Sequence, residues 1–356
     1  MQINQVLPAL SCHDAVSNDA IEIMKFLRKQ GFDSNIYAKH THPKVSKYTK
    51  SIDKYHGNDQ NILIYHFSLY SEDVTDFVKK LPDKKILLYH NITPPKFFDG
   101  LCETLSYSCA KGLDELKDLF RHFQVGVGVS EYNRLCLENY GFKNTDVLPI
   151  LININKFESH NEKNLKKRSY IDSTINIIFV GRISPNKKHE DIIKTFYYYQ
   201  RYINSNSVLY LVGNEQISSY SEYLRNLIDT LGLRDHIIFT GMVTDEDLVE
   251  YYKKAHLFLC MSEHEGFCVP LLEAMYFEIP IIAYNSTGVP YTLDNSGILV
   301  NKKQYNKIAE LINLLIEEKV IRGRIIQKQN ERLMAFDKEK TGKKLIKIIE
   351  GLNNKN

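Results

Sequence analysis

The sequence predicts an α/β protein built from two doubly wound parallel-sheet domains. Three observations predict it. Short apolar runs alternate with amphipathic stretches along both halves of the chain, which is the pattern of repeated βα units. A polar stretch without period, 153–173, lies between the halves and contains His160-Asn161-Glu162-Lys163-Asn164-Leu165-Lys166-Lys167-Arg168. The 356 residues exceed one ordinary domain and suit two. The domains are therefore expected at 1–153 and 174–335, joined by a linker.

In the first half, the apolar runs 4–10, 35–38, 61–67, 85–89, 125–129 and 146–151 read as strands. A helix is expected over 19–30, with Ile21, Met24 and Leu27 on one face, Ser17-Asn18-Asp19 at its start and Gly31 as its stop. A second follows Ser130 and ends at Gly141. Gly126-Val127-Gly128 lacks the third glycine of a dinucleotide fingerprint and reads as a strand packed closely on a neighbour. In the second half, strands are expected at 176–180, 207–212, 237–239, 256–260, 279–283 and 298–300. Helices are expected at 188–203, 219–231, 245–254, 269–277 and 303–317, with further helical stretches from Val320 onward. Two such domains facing each other would bring both sets of strand C-termini, and both ligand sites, to one cleft.

Composition narrows the class. A hydrophobic fraction of 43% with 25% charged residues is that of a globular protein, and a net charge of +3 implies no nucleic-acid partner. The six cysteines, Cys12, Cys102, Cys109, Cys136, Cys260 and Cys268, form no Cys-x-x-Cys pair, so a reducing compartment without a metal knuckle is expected. The N-terminus has no basic start or apolar run, and no window approaches the roughly 18 apolar residues of a membrane span. The expected location is the cytoplasm.

The stretch Glu263-His264-Glu265-Gly266-Phe267-Cys268-Val269-Pro270-Leu271-Leu272-Glu273 carries the most chemistry. Glu265 falls in a loop after an apolar strand. Glu273 falls about one turn into a helix that Pro270 is expected to begin, since proline suits the first position. Backbone N–H groups at Gly266 and Phe267 would face outward at a helix N-terminus, an anion site. Carboxylates on both sides of a phosphate suit a ligand with hydroxyls beside its phosphates, a sugar nucleotide. Phe179-Val180-Gly181-Arg182-Ile183-Ser184-Pro185-Asn186-Lys187-Lys188 adds a strand end followed by cations that suit a diphosphate, Arg as a planar fork and Lys as a point charge. Taken alone, those lysines would read as solvated helix-start residues. Asp245-Glu246-Asp247 follows Thr244 and opens an amphipathic helix, so its acids are explained by the helix dipole rather than by a metal.

The pattern Glu-Gly-Phe-x-x-Pro-x-x-Glu-Ala, together with Gly-Arg and a following lysine, resembles the signature of retaining glycosyltransferases of family 4, which have the GT-B fold of two Rossmann-like domains. The resemblance implies roles. Arg182 and Lys188 would grip the donor phosphates, with Lys187 the second choice. Glu265 would hold sugar hydroxyls and Glu273 the ribose. Gly181, Gly213, Gly241, Met242, Val243, Gly266, Phe267, Cys268 and Val269 would complete the donor site. His90 would meet the donor sugar near the reaction centre, with His66, Asn91 and Asp14 on the acceptor side of the first domain. The turn around Asp14 has no glycine, unlike many relatives, so phosphate contacts do not transfer simply to Ala15 and Val16. A helix over 336–356 would cross back to the first domain.

The activity implied is metal-independent, retaining transfer of a hexose from GDP-mannose or a UDP-hexose to a saccharide acceptor. A lipid-linked acceptor in bacterial surface polysaccharide synthesis, O-antigen or capsule, fits the family's habits. No cofactor is implied. Two other readings stay open: a non-catalytic GT-B partner subunit and a sugar-nucleotide epimerase. The basic run 39–54, with Lys39, Lys44, Lys47, Lys50 and Lys54, reads first as a solvated face and second as a contact with anionic lipid at the inner membrane face.

Overall fold

The computed structural model describes residues 1–12, 14–154, 157 and 174–353, so most of the expected linker, and His13, lie outside the described residues. The chain divides into two compact units. The first comprises Met1–Lys96, Glu103–Asn153 and Phe336–Asn356, and the second Phe97–Cys102 and Ile154–Ala335.

The first unit runs β1 (Ile3–Leu10), α1 (Ala15–Lys29), β2 (Ile36–Thr41), β3 (Thr49–Ser51), β4 (Ile62–Phe67), α2 (Glu72–Lys80), β5 (Lys84–Tyr89), α3 (Glu103–Leu119), β6 (Val125–Gly128), α4 (Glu131–Asn139) and β7 (Thr145–Val147). Its seven described strands form one sheet in the order β3-β2-β1-β4-β5-β6-β7, every pair parallel. β4 is buried at all six positions, as expected of a parallel strand covered on both faces. Gly126 and Gly128 lie close against Phe142 and the Asn133–Arg134 backbone.

Two local expectations are corrected here. α1 starts at Ala15 rather than at 19, because Asp14 is its N-cap and accepts from Ser17 N at 2.9 Å. Asp19 is consequently inside the helix and buried. β7 is three residues rather than a run to Leu151, since Pro149 cannot donate to a ladder. The Leu151 N–H turns instead to Asp19 Oδ1 at 2.7 Å.

The second unit runs β8 (Ile175–Val180), α5 (His189–Tyr202), β9 (Ser207–Val212), α6 (Ser218–Thr230), β10 (Ile237–Gly241), α7 (Asp245–Lys254), β11 (Leu257–Cys260), α8 (Val269–Tyr276), β12 (Ile281–Tyr284), α9 (Val289–Leu293), β13 (Ile298–Val300), α10 (Tyr305–Glu317) and α11 (Lys319–Leu333). Six described strands pair in parallel in the order β10-β9-β8-β11-β12-β13. α7 is capped by Thr244, whose side chain accepts from Asp247 N, with Asp245, Glu246 and Asp247 in its first turn. α8 begins at Val269, so Pro270 is its second residue rather than its first, and Cys268 caps it in a left-handed conformation.

The last helix, α12 (Lys338–Asn353), is part of the first unit and packs on α1. Gly342 has no room for a Cβ, which would fall 2.3 Å from the Phe26 ring. Lys338 pairs with Glu22, and Lys29 with Glu339. No described helix is long and apolar enough to cross a membrane.

Candidate functional site

Strand order determines where a ligand can sit. In the second unit the order reverses between β8 and β11, and loops leaving such neighbours at their C-terminal ends splay apart. Those two loops hold the residues singled out in the sequence. Lys187 Nζ lies 2.5 Å from Glu265 Oε2, joining the loop after β8 to the loop after β11. The Glu265 side chain is 94% buried, and its other oxygen, Oε1, has no hydrogen-bond partner among the described residues. Its backbone is held as well: Glu265 N–H donates to Thr287 Oγ1 at 2.8 Å, and Glu265 C=O accepts from Gly288 N at 3.0 Å. Asn186 ties the loops again, its Nδ2 donating to His264 C=O at 3.0 Å and its C=O accepting from Glu263 N at 2.9 Å.

The two lysines separate at this point. Lys188 adopts φ 56°, the left-handed region, which turns its side chain to Glu190 at 3.3 Å and Glu263 at 3.7 Å. Burial alone would lower its pKa, but those carboxylates hold it above the usual lysine value. The sequence reading preferred Lys188 for the site, whereas the geometry puts Lys187 on Glu265. Arg182 is exposed at the end of β8 and makes no side-chain hydrogen bond or ion pair among the described residues. Glu273 is buried in α8 and accepts from the Tyr252 hydroxyl at 2.8 Å. Gly181, Gly213 and Gly241 close the ends of β8, β9 and β10. Gly181 N donates to Val212 C=O, and Gly213 N to Gly241 C=O. At Gly213 a Cβ would fall 2.0 Å from the Gly181 carbonyl oxygen, so only glycine fits. Met242 beyond Gly241 is exposed, and Val243 is half-buried. Phe267 and Cys268 are buried.

Cys260, Glu265 and Cys268 offer ligand atoms within 4.8 Å of one another, as do Asp19, His66 and His90 in the first unit. In the first trio the Lys187 ammonium already sits on the carboxylate. In the second the two imidazoles bond to each other.

In the first unit the order reverses between β1 and β4. His66 in β4 and His90 just after β5 stack with ring centroids 5.1 Å apart. His66 Nδ1 lies 2.9 Å from His90 Nε2, and His66 Nε2 lies 2.8 Å from Gln5 Oε1 in β1. Burial takes the His66 pKa down to about 3, and burial followed by the neighbouring His66 takes His90 well below its usual value. Burial pushes Asp19 up to about 8 in spite of its bond from Leu151 N. At neutral pH all three are therefore uncharged, and the 3.9 Å between Asp19 Oδ2 and His90 Nε2 is not an ion pair. Asn91 follows with φ 80°. Asp14 is half-buried, with Oδ2 occupied by Ser17 N and Oγ at the start of α1, just before Ala15 and Val16.

Sequence reasoning missed Gln5, Asp19 as a buried group, and Thr287. Gln5 and Asn4 had a signal, since polar residues inside an apolar strand need buried partners. Thr287 had none, because its role depends on a loop meeting that only the fold creates.

Two doubly wound parallel sheets in one chain, each with polar groups at its switch point, form the GT-B fold of glycosyltransferases. The crystal structure of HepE from Anabaena with UDP and glucose shares it, at TM-score 0.77 and 15% identity over 99% of this chain and 100% of that one. So does sucrose-phosphate synthase from Thermosynechococcus elongatus, at TM-score 0.73 and 15% identity over 100% of both chains. Residues 161–332 match the family model described as glycosyl transferases group 1. Among curated proteins, the chain is 28% identical over 163 residues to the GDP-mannose-dependent alpha-(1-6)-phosphatidylinositol monomannoside mannosyltransferase of Mycobacterium tuberculosis, covering 43% of this chain and 41% of that protein. It is 26% identical over 234 residues to the capsular polysaccharide glycosyltransferase CapM of Staphylococcus aureus, covering 63% and 57%. The matches thus span less than two thirds of these relatives.

Proposed function

We propose that the protein is a retaining, metal-independent glycosyltransferase that moves a hexose from a nucleotide-diphosphate sugar to a saccharide acceptor. The observation that carries this is the Lys187–Glu265 pair at the β8/β11 switch point, with the exposed Arg182 in the same β8 loop as Lys187 and Glu273 in the helix after the β11 loop. A diphosphate there meets Arg182 and draws Lys187 off Glu265. The carboxylate so released binds hydroxyls of the sugar, and Glu273 the ribose. Cations positioned beforehand on the leaving diphosphate stabilise charge as it builds, the effect that often dominates catalysis. Gly241, Met242 and Val243 border the base, and His90 takes a substrate hydroxyl in the first unit. The mannosyltransferase and capsule names among the relatives make GDP-mannose the first donor to try, a UDP-hexose the second, and a lipid-linked saccharide at the cytoplasmic membrane face the acceptor.

A panel of GDP-, UDP- and dTDP-sugars tests this by nucleotide release and calorimetric binding. One donor is expected to bind and release its nucleotide slowly, with both signals lost in Glu265→Ala. Absence of binding across the panel, with and without a saccharide acceptor, would return the weight to a non-catalytic subunit.

A further inference from the structure

The polar chain behind His90 can be read in one direction only. Gln5 Nε2 donates to the Ala20 carbonyl at 3.0 Å, and this fixes the amide so that its oxygen faces His66. An amide oxygen only accepts, so His66 Nε2, 2.8 Å away, carries the proton. A neutral imidazole has one N–H, which leaves His66 Nδ1 bare. That bare nitrogen lies 2.9 Å from His90 Nε2, which must therefore be the donor. His90 is neutral too, and its remaining nitrogen, Nδ1, is then a lone pair. It is the one atom of the chain Ala20–Gln5–His66–His90 that is buried and has no hydrogen-bond partner among the described residues. Buried acceptors are seldom left so, and each such atom calls for a partner, a ligand or a water.

We propose that Gln5 and His66 are positioning residues that lock His90 as its Nε2–H tautomer, so that the His90 Nδ1 lone pair accepts a hydrogen bond from a hydroxyl of the sugar substrate. The identity of the hydroxyl's owner rests on the nucleotide-sugar reading above, while the locked tautomer does not. Three strands are needed for the device: β1 contributes Gln5, β4 contributes His66, and His90 directly follows Tyr89 at the end of β5. Asp19, whose Oδ2 lies 3.9 Å from His90 Nε2, has its pKa pushed by burial up to about 8 and so does not draw a second proton onto His90.

Nitrogen-15 NMR of histidine-labelled protein reads the tautomer directly, with the signals assigned by their loss in His66→Asn and His90→Asn. Wild type is expected to show both rings protonated at Nε2 and bare at Nδ1 near neutral pH. A sugar substrate that binds, donor or saccharide acceptor, is expected to shift the His90 Nδ1 signal toward that of a hydrogen-bonded nitrogen. Gln5→Met removes the acceptor and should mix the tautomers of both rings and weaken binding of the substrate that shifts His90 about tenfold. Gln5→Glu keeps an acceptor oxygen and should restore the wild-type pattern. A His90 protonated at Nδ1 in wild type, or unchanged tautomers in Gln5→Met, would overturn the proposal. Should Gln5→Met fail to fold, the wild-type spectrum still decides. No donor is needed to read the free protein, so a silent donor panel would sink the functional reading without touching this result.

Discussion

Lys187 and Lys188 are adjacent, equally charged and differently employed. The sequence presents both, and what separates them is one dihedral: φ 56° at Lys188 sends its side chain to Glu190 and Glu263 and leaves Lys187 to Glu265. No pattern of residue types encodes that choice, so the sequence reading, which prefers Lys188, does not anticipate that Lys187 is the one on Glu265. Substitution makes the difference measurable. Lys187→Ala should weaken donor binding by about 1.5–3 kcal/mol, the worth of a hydrogen bond to a charged group. Lys188→Gly should bind donor as wild type does. It relieves about 1–2 kcal/mol of left-handed strain and loses ion pairs worth about 0–1 kcal/mol, so its denaturation midpoint should stay level or rise slightly. Equal losses of donor binding in the two variants would refute the assignment. Lys188 is not alone in its strain. Of the six non-glycine residues with positive φ among the described residues, Asn91, Lys188, Cys268 and Thr287 all lie in loops that leave the C-terminal ends of strands, after β5, β8, β11 and β12. Such strain concentrates where a site has to be held open for a ligand.

At the scale of elements, the alternation of apolar runs and amphipathic stretches carried nearly all of the architecture, because each parallel strand must be apolar on both faces and each helix on one. β9 and α7 span the residues expected for them. Ends were less legible where the deciding group is not local. Asp14 caps α1 from a turn that the sequence alone assigns to no element, and Pro149 shortens β7 by a donor it lacks. The hydrogen-bonded chain through Gln5, His66 and His90 joins three strands and has no signature in any one of them. The basic segment from β2 through β3 leaves Lys44, Lys47, Lys50 and Lys54 exposed, with Lys47 only 5.0 Å from the Tyr48 ring centroid, while Lys39 pairs with Asp73. If that surface meets anionic lipid, vesicles containing phosphatidylglycerol should sediment the protein at low salt and release it at high salt, each lysine adding about 1 kcal/mol. Replacing Lys44, Lys47 and Lys50 with Gln should abolish the effect. Binding that ignores both salt and substitution would remove this surface from the account.

The whole molecule should register its buried titratable groups in a pH profile. Folded His66 and His90 refuse the proton that the unfolded chain accepts near pH 6.5, so their contribution is complete above 6.5 and is lost as pH falls toward 3. Asp19 acts oppositely: folded, it keeps a proton up to about pH 8 that the unfolded chain releases near 3.8, so its contribution is lost as pH rises. Between pH 4 and 6 the two histidines outweigh the one carboxyl by one proton, about 1.4 kcal/mol per pH unit. From 6.5 to 8 Asp19 acts by itself. Denaturant titrations should therefore show greatest stability near pH 6.5, and Asp19→Asn should flatten the alkaline side and steepen the acid side toward two protons, about 2.7 kcal/mol per pH unit. A profile unchanged by that substitution would contradict the burial-driven shift. The first unit also closes with distant residues, since α12 supplies Lys338 to Glu22, 316 positions away, and Glu339 to Lys29, 310 away. On the ribosome this separation is a waiting time. At about 5–20 residues per second, α1 stands for roughly 15–60 s with its Phe26 side uncovered, while the second unit is made and can fold in the interval. The unit that begins first in synthesis is thus the one completed last.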